Sequence, residues 1–145
     1  MNRILVIDDA ATVRMYHRKL LGDAGWRIDE AINGLEALEK ALNQPADQAF
    51  DLYVCDINMP KVDGYSFVRE LRRQPGLRQS PVLMVSTESQ THDATAARDA
   101  GANGYLVKPV RPHDLVLTAA LLLGDAGAAG RAAAAIVTAA QGVCA

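Results

Sequence analysis

Five short apolar runs, each followed by a stretch with helical spacing, leave this chain few architectures to choose from. The runs are Arg3–Asp8, Trp26–Ile32, Leu52–Asp56, Val82–Ser86 and Gly104–Val107. The first is apolar almost throughout, as a strand is when helices cover both faces of a parallel sheet. Charged Asp29 and Glu30 place the second run at a sheet edge. Between the runs, Thr12–Ala24 sets Val13, Tyr16, Leu20 and Leu21 at helical spacing and is closed by Gly25. Asn33-Gly34 turns the chain into a helix over Leu35–Leu42, and Tyr65–Arg73 forms another that stops before Pro75-Gly76. Gln44–Ala49 and Met59–Asp63 read as loops. Gln90–Ala100 is a helix with only alanines to offer the sheet, and residues 114–123 form a fifth. Strict alternation of strands and helices predicts a doubly wound parallel α/β sheet with right-handed crossovers.

Chemistry collects at one end of that sheet. Asp8 and Asp9, Asp56, Ser86 and Lys108 each stand where a run finishes. Ligands of open α/β sheets bind beyond the carboxyl ends of the strands. Three carboxylates gathered there repel one another unless a cation sits among them. A hard, oxygen-bound cation such as Mg2+ would relieve the repulsion. The pattern therefore predicts a metal-assisted anion site with one carboxylate free to act as nucleophile.

Composition narrows the field by exclusion. At 145 residues, half of them apolar and 22% charged, the chain can bury a single core. A net charge of -2 gives no electrostatic reason to expect nucleic acid or an anionic membrane as partner. Arg69, Arg72, Arg73 and Arg78 cluster on one helix and its exit loop, which reads as a solvated face. Cys55 reads as a small core residue beside Asp56, and Cys144 as an exposed thiol near the C-terminus. The N-terminus enters a strand at once, without a signal peptide, and no apolar stretch reaches spanning length. The expectation is a soluble, cytoplasmic protein.

The quoted residues resemble a known family. Ile-Leu-Val-Ile-Asp-Asp at 4–9, Asn-Gly-Leu-Glu-Ala-Leu at 33–38, Asp-Ile-Asn-Met-Pro at 56–60, Pro-Val-Leu-Met-Val-Ser-Thr-Glu at 81–88 and Gly-Ala-Asn-Gly-Tyr-Leu-Val-Lys-Pro at 101–109 look like the receiver domains of two-component response regulators. The likeness is greatest to the stand-alone, CheY-like chemotaxis type, and it runs over residues 1–123. It implies a flavodoxin-like fold with strand order 2-1-3-4-5. It also implies that Asp56 is the phosphoacceptor and that Asp8, Asp9, Asp56 and the Asn58 backbone carbonyl hold Mg2+. Lys108 and Ser86 would contact the phosphoryl group, and Tyr105 would change rotamer with Ser86 as the switch. Asn58 and Glu88 would flank the water that hydrolyses the phosphoryl group. An Asn58→Lys substitution is then expected to slow dephosphorylation, which the decay rate of phosphorylated protein measures.

The implied partners are a histidine kinase or histidine phosphotransfer protein upstream and a protein target downstream, with neither nucleic acid nor membrane. Each role has a blander alternative. Asp8 and Asp9 could merely cap the helix that follows, and Tyr105 could be packing alone. A receiver excised from a hybrid kinase, or a phosphorelay shuttle, shares the motifs; the starting methionine and the tail favour a separate protein. An aspartyl phosphatase would place a second acid two residues after its nucleophile, where this chain has Ala10 after Asp8.

Two features depart from the resemblance. Val116, Leu117 and Leu121 make outward positions of the fifth helix apolar. Beyond it, residues 124–145 are an Ala/Gly-rich tail in which Arg131–Gln141 could add a helix. Such a helix would cover the fifth helix, or the two would support a homodimer.

Overall fold

The five apolar runs form one parallel sheet in the order β2-β1-β3-β4-β5. Its strands are β1 (Arg3–Ile7), β2 (Arg27–Ala31), β3 (Leu52–Asp56), β4 (Val82–Ser86) and β5 (Gly104–Val107). The computed structural model describes residues 2–57, 59, 63–87 and 91–144, with 91, 92 and 139–144 described by their backbone alone. Helices α1 (Ala11–Asp23), α2 (Gly34–Leu42), α3 (Gly64–Arg73), α4 (Thr91–Ala100) and α5 (Pro112–Leu123) follow the strands in turn, and α6 (Ala126–Cys144) comes last. A short 3-10 turn at Ala46–Gln48 interrupts the expected loop before β3.

Period-two alternation divides the strand side chains between two cores. Leu5, Ile7, Tyr53, Cys55 and Met84 pack with Phe67, Val68 and Leu71 of α3 and the alanines of α2 and α4. Ile4, Val6, Leu52, Val54, Leu83 and Val85 pack on the other face with Leu21, Leu115, Ala119 and Ala120. Side-chain caps set where α2 and α3 begin. The Asn33 carboxamide oxygen accepts from Glu36 N–H at 2.8 Å, and the Asp63 carboxylate accepts from Ser66 N–H at 2.8 Å.

Strand β2 is an edge strand, as its charges predict, but those charges have partners. Asp29 pairs with Arg3 at 2.7 Å, and Glu30 with Arg14 at 3.2 Å and Arg18 at 2.6 Å. The arginine cluster on α3 departs from the expected solvated face at one member. Arg72 reaches inward, donating from Nε to Gly101 O (3.1 Å) and from its terminal nitrogens to Ser80 O (2.8 Å) and Asn103 Oδ1 (2.9 Å). Its guanidinium satisfies loop carbonyls that no ladder reaches.

The tail does form a helix, longer than its sequence suggested. Gly124 ends α5 in the left-handed conformation, φ 72°, which a side chain would disfavour. The chain then reverses, and Asp125 starts α6 by accepting from Ala128 N–H at 3.1 Å. The other Asp125 carboxylate oxygen accepts from the indole Nε1 of Trp26 at 3.0 Å. Ala128 and Ala132 are buried on this side of the sheet, where α6 lies against α5 and faces Leu20 and Ala24 of α1 across a narrow crevice. Val116 is therefore half-buried rather than outward, whereas Leu121 stays 65% exposed. Ending the chain after Leu123 would uncover Val116, Ala120 and the Trp26 indole. Calorimetry should show the melting temperature falling by roughly 5 °C or more. The emission of Trp26, the chain's one tryptophan, should shift to longer wavelength.

Candidate functional site

The strands stop at nearly the same height, and the polar residues follow at that level. Asp8 lies one residue beyond β1, its N–H still bonded to Ala31 O at 3.1 Å. Asp56 and Ser86 are the last residues of β3 and β4, and Lys108 is the first after β5. The Lys108 N–H donates to Ser86 O at 2.7 Å, which ties those two positions together through the backbone. Register alone thus gathers side chains separated by as many as 100 residues in sequence.

One carboxylate oxygen from each of Asp8, Asp9 and Asp56 lies within 4.8 Å of the others. Asp8 and Asp56 are buried, at 2% and 6% exposure, while Asp9 faces solvent. The Lys108 Nζ bridges the two buried acids, 3.2 Å from Asp8 Oδ2 and 3.1 Å from Asp56 Oδ1. Burial raises the Asp56 carboxyl above the ordinary range, and the Asp8 charge raises it further against the pull of Lys108. Burial by itself would lower the Lys108 ammonium, but the Asp8 and Asp56 carboxylates together outweigh it and the net shift is upward. Cys55, fully buried on β3, has its thiol pushed well up by burial and then by Asp56, which leaves it an inert core residue.

The capping alternative for the acidic pair is not what the structure shows. Ala10 occupies the N-cap of α1 without a side-chain cap, and Asp8 Oδ1 instead accepts from Ala10 N–H at 2.9 Å. Ser86 is fully buried, and Tyr105 on β5 is half-buried against the core beneath α4. Asn58 and Glu88, assigned above to the metal carbonyl and the hydrolytic water, lie outside the described residues.

Three hard oxygen donors on a preformed rim, two of them desolvated, fit a small divalent cation such as Mg2+. Charge also dictates a stability effect. The folded protein holds the Asp56 proton more tightly than the unfolded chain does. Stability therefore falls as pH rises from the ordinary carboxylate range through the raised value. Metal-free Asp56→Asn protein should consequently melt above wild type at neutral pH, by roughly 3 °C for each ~1 kcal/mol of repulsion removed. That gain should vanish on acidification, and thermal melts at several pH values in a chelator check it.

Two residues of this region escaped sequence reasoning. His17 is buried on α1, and burial lowers its imidazole although the Asp8 charge opposes that. Its signal was available, because position 17 lies four residues from both Val13 and Leu21 on the apolar stripe. With Thr12, Val13, Tyr16, Thr87, Pro109 and Val110, it borders a cleft of about 510 Å³ that opens beside Lys108. The second is Arg14, whose guanidinium donates to the Asp8 main-chain carbonyl at 2.7 Å.

Comparison with known proteins agrees with this geometry. Residues 4–120 match the model of the response regulator receiver domain family. The structure of the chemotaxis protein CheY4 of Vibrio cholerae superposes with a TM-score of 0.77 at 34% identity, covering 84% of this chain and 98% of that one. A putative response regulator from Chloroflexus aurantiacus has a TM-score of 0.77 at 31% identity, covering 85% and 98%. The transcriptional regulatory protein ResD of Bacillus subtilis is 34% identical over 83% of this chain and 48% of its own length. The gliding motility regulatory protein of Myxococcus xanthus is 36% identical over 73% of this chain but only 13% of its own length. The chain thus spans about half or less of these two curated relatives.

Proposed function

Because the chain belongs to the response regulator receiver domain family, we propose that it is a stand-alone receiver which takes a phosphoryl group onto Asp56 and signals by binding another protein. The observation that carries the reading is the Lys108 ammonium, held between the Asp8 and Asp56 carboxylates at the mouth of the sheet. Asp56 attacks the phosphorus of a phosphohistidine on a kinase or phosphotransfer protein; the new P–O bond forms as the P–N bond breaks, and the imidazole leaves with the electron pair. Phosphoryl transfer needs charge compensation on the equatorial oxygens more than covalent help. Lys108 supplies one such charge, turning from the carboxylates to a phosphoryl oxygen. Asp8, Asp9 and Asp56 would hold Mg2+, which when bound neutralises phosphoryl oxygens. The Ser86 hydroxyl donates to the phosphorylated form, and Tyr105 follows it, biasing two conformations already in equilibrium.

Among the described residues, no helix is long and apolar enough to cross a membrane. Output by protein contact in the cytoplasm accords with this and with the chain's near-balanced charge. Leu121, exposed beside half-buried Leu117 on α5, offers an apolar surface for self-association. Incubation with acetyl phosphate and Mg2+ tests the proposal. Intact-mass spectrometry should show one added phosphoryl group on wild type and none on Asp56→Asn. Equal labelling of both proteins would overturn it.

A further inference from the structure

The position of the acidic pair is held from outside the pair. Asp8 lies just past the last ladder residue of β1, so no sheet hydrogen bond is available to its carbonyl oxygen, although its side chain is buried. A buried carbonyl needs a donor. Arg14, one helical turn into α1, provides it at 2.7 Å from a terminal nitrogen. The same guanidinium is fixed from its other side, where Nε donates to Glu30 Oε1 at 3.2 Å. Glu30 is itself anchored on β2. Its second carboxylate oxygen accepts from Arg18 at 2.6 Å, and the Lys40 ammonium donates to its main-chain carbonyl. Only 16% of the Arg14 side chain is exposed, against 56% of Arg18.

We infer that Arg14, braced by Glu30, is a positioning residue for the metal-binding acids. The oxygen it holds belongs to the peptide plane that joins Asp8 to Asp9. Fixing that plane fixes where the Asp9 Cα leaves the strand and where both carboxylates point. Asp9 needs the help most, because it is solvent-exposed whereas Asp8 is buried and bridged by Lys108. Outer residues that orient ligands in this way commonly change metal affinity by 10–100-fold when removed. The charges on β2 thereby acquire a role at the site, through a contact that spans 16 residues of sequence.

The inference rests on the reading of Asp8, Asp9 and Asp56 as a divalent-cation site, and the experiment separates the two. Binding of Mn2+ alone is measured on the full chain by loss of the free-ion electron paramagnetic resonance signal, and of Mg2+ by calorimetry. Failure of wild type to bind either ion would overturn the metal reading and the inference with it. Given binding by wild type, Arg14→Gln should raise the Kd about tenfold. It should also speed hydrogen exchange at the Ala10 amide, which Asp8 Oδ1 now holds. Glu30→Gln, which leaves Arg14 present but unbraced, should weaken binding in the same direction and add little to Arg14→Gln in the double variant. Arg18→Gln removes an equal charge without touching the carbonyl and should stay within about twofold of wild type. A Kd for Arg14→Gln equal to wild type, or an equal loss in Arg18→Gln, would overturn the positioning role while leaving the metal site intact.

Discussion

Lys108→Met protein should accept a phosphoryl group roughly 100-fold more slowly than wild type while binding Mg2+ about tenfold more tightly. The two effects have opposite signs because one ammonium serves two situations. Before reaction it sits 3.2 Å from Asp8 Oδ2 and 3.1 Å from Asp56 Oδ1, where it competes with a cation for those oxygens. Methionine keeps most of the stem volume and removes the charge, so the acids are freed for the metal. During transfer, the same charge is needed on the phosphoryl oxygens, and its loss goes unreplaced. Calorimetric Mg2+ titration and the rate of labelling by acetyl phosphate measure the two quantities separately. Weaker metal binding in this variant would show that Lys108 organises the acids instead of competing for them.

Gly64→Ala should cost about 3 kcal/mol of stability, lowering the melting temperature by roughly 10 °C, although alanine is the better helix former. Gly64 begins α3 and donates its N–H to Ile57 O at 3.0 Å, which draws the helix start against the end of β3. A Cβ built there would lie 2.7 Å from the Asp56 main-chain oxygen and 2.8 Å from the Ile57 Cα. Both are backbone atoms, so the overlap can be relieved only by moving the strand end that carries Asp56, the proposed phosphoacceptor. Labelling at Asp56 should therefore slow along with the loss of stability. Gly22→Ala supplies the contrast, since Gly22 lies within α1 with nothing within 4 Å of the added carbon. That substitution should raise stability by about 0.5–1 kcal/mol. Thermal melts of the two variants side by side check both signs.

The fold was legible because its signals are local. Unbroken apolar runs at β3 and β4, the Asn33-Gly34 turn into α2 and the Gly25 stop after α1 are each written within a few residues. Strand ends were legible for the same reason, and in a parallel sheet a strand end is an address. Errors fell where long side chains choose partners. Arg72 sits in an arginine-rich stretch that reads as solvated, yet it spans 29 residues of sequence to reach the Gly101 carbonyl. Glu30 reads as an edge charge, and Val116 reads as outward until α6 is laid beside it. A flexible side chain can reach several directions, and its choice depends on which carbonyls the finished backbone leaves unmet.

By itself, the sequence determined a doubly wound parallel sheet and the identity of the acids, hydroxyl and ammonium at its carboxyl end. Apolar periodicity and turn chemistry act over a few residues and need no knowledge of distant chain. Only the tertiary structure decided that Lys108 bridges Asp8 and Asp56, that Arg14 and Glu30 hold the Asp8 carbonyl, and that α6 lies on the α1 side of α5. These contacts join residues far apart in sequence. They exist only once strand register and helix docking have fixed which polar groups are buried together, where each must find a partner or remain at a cost.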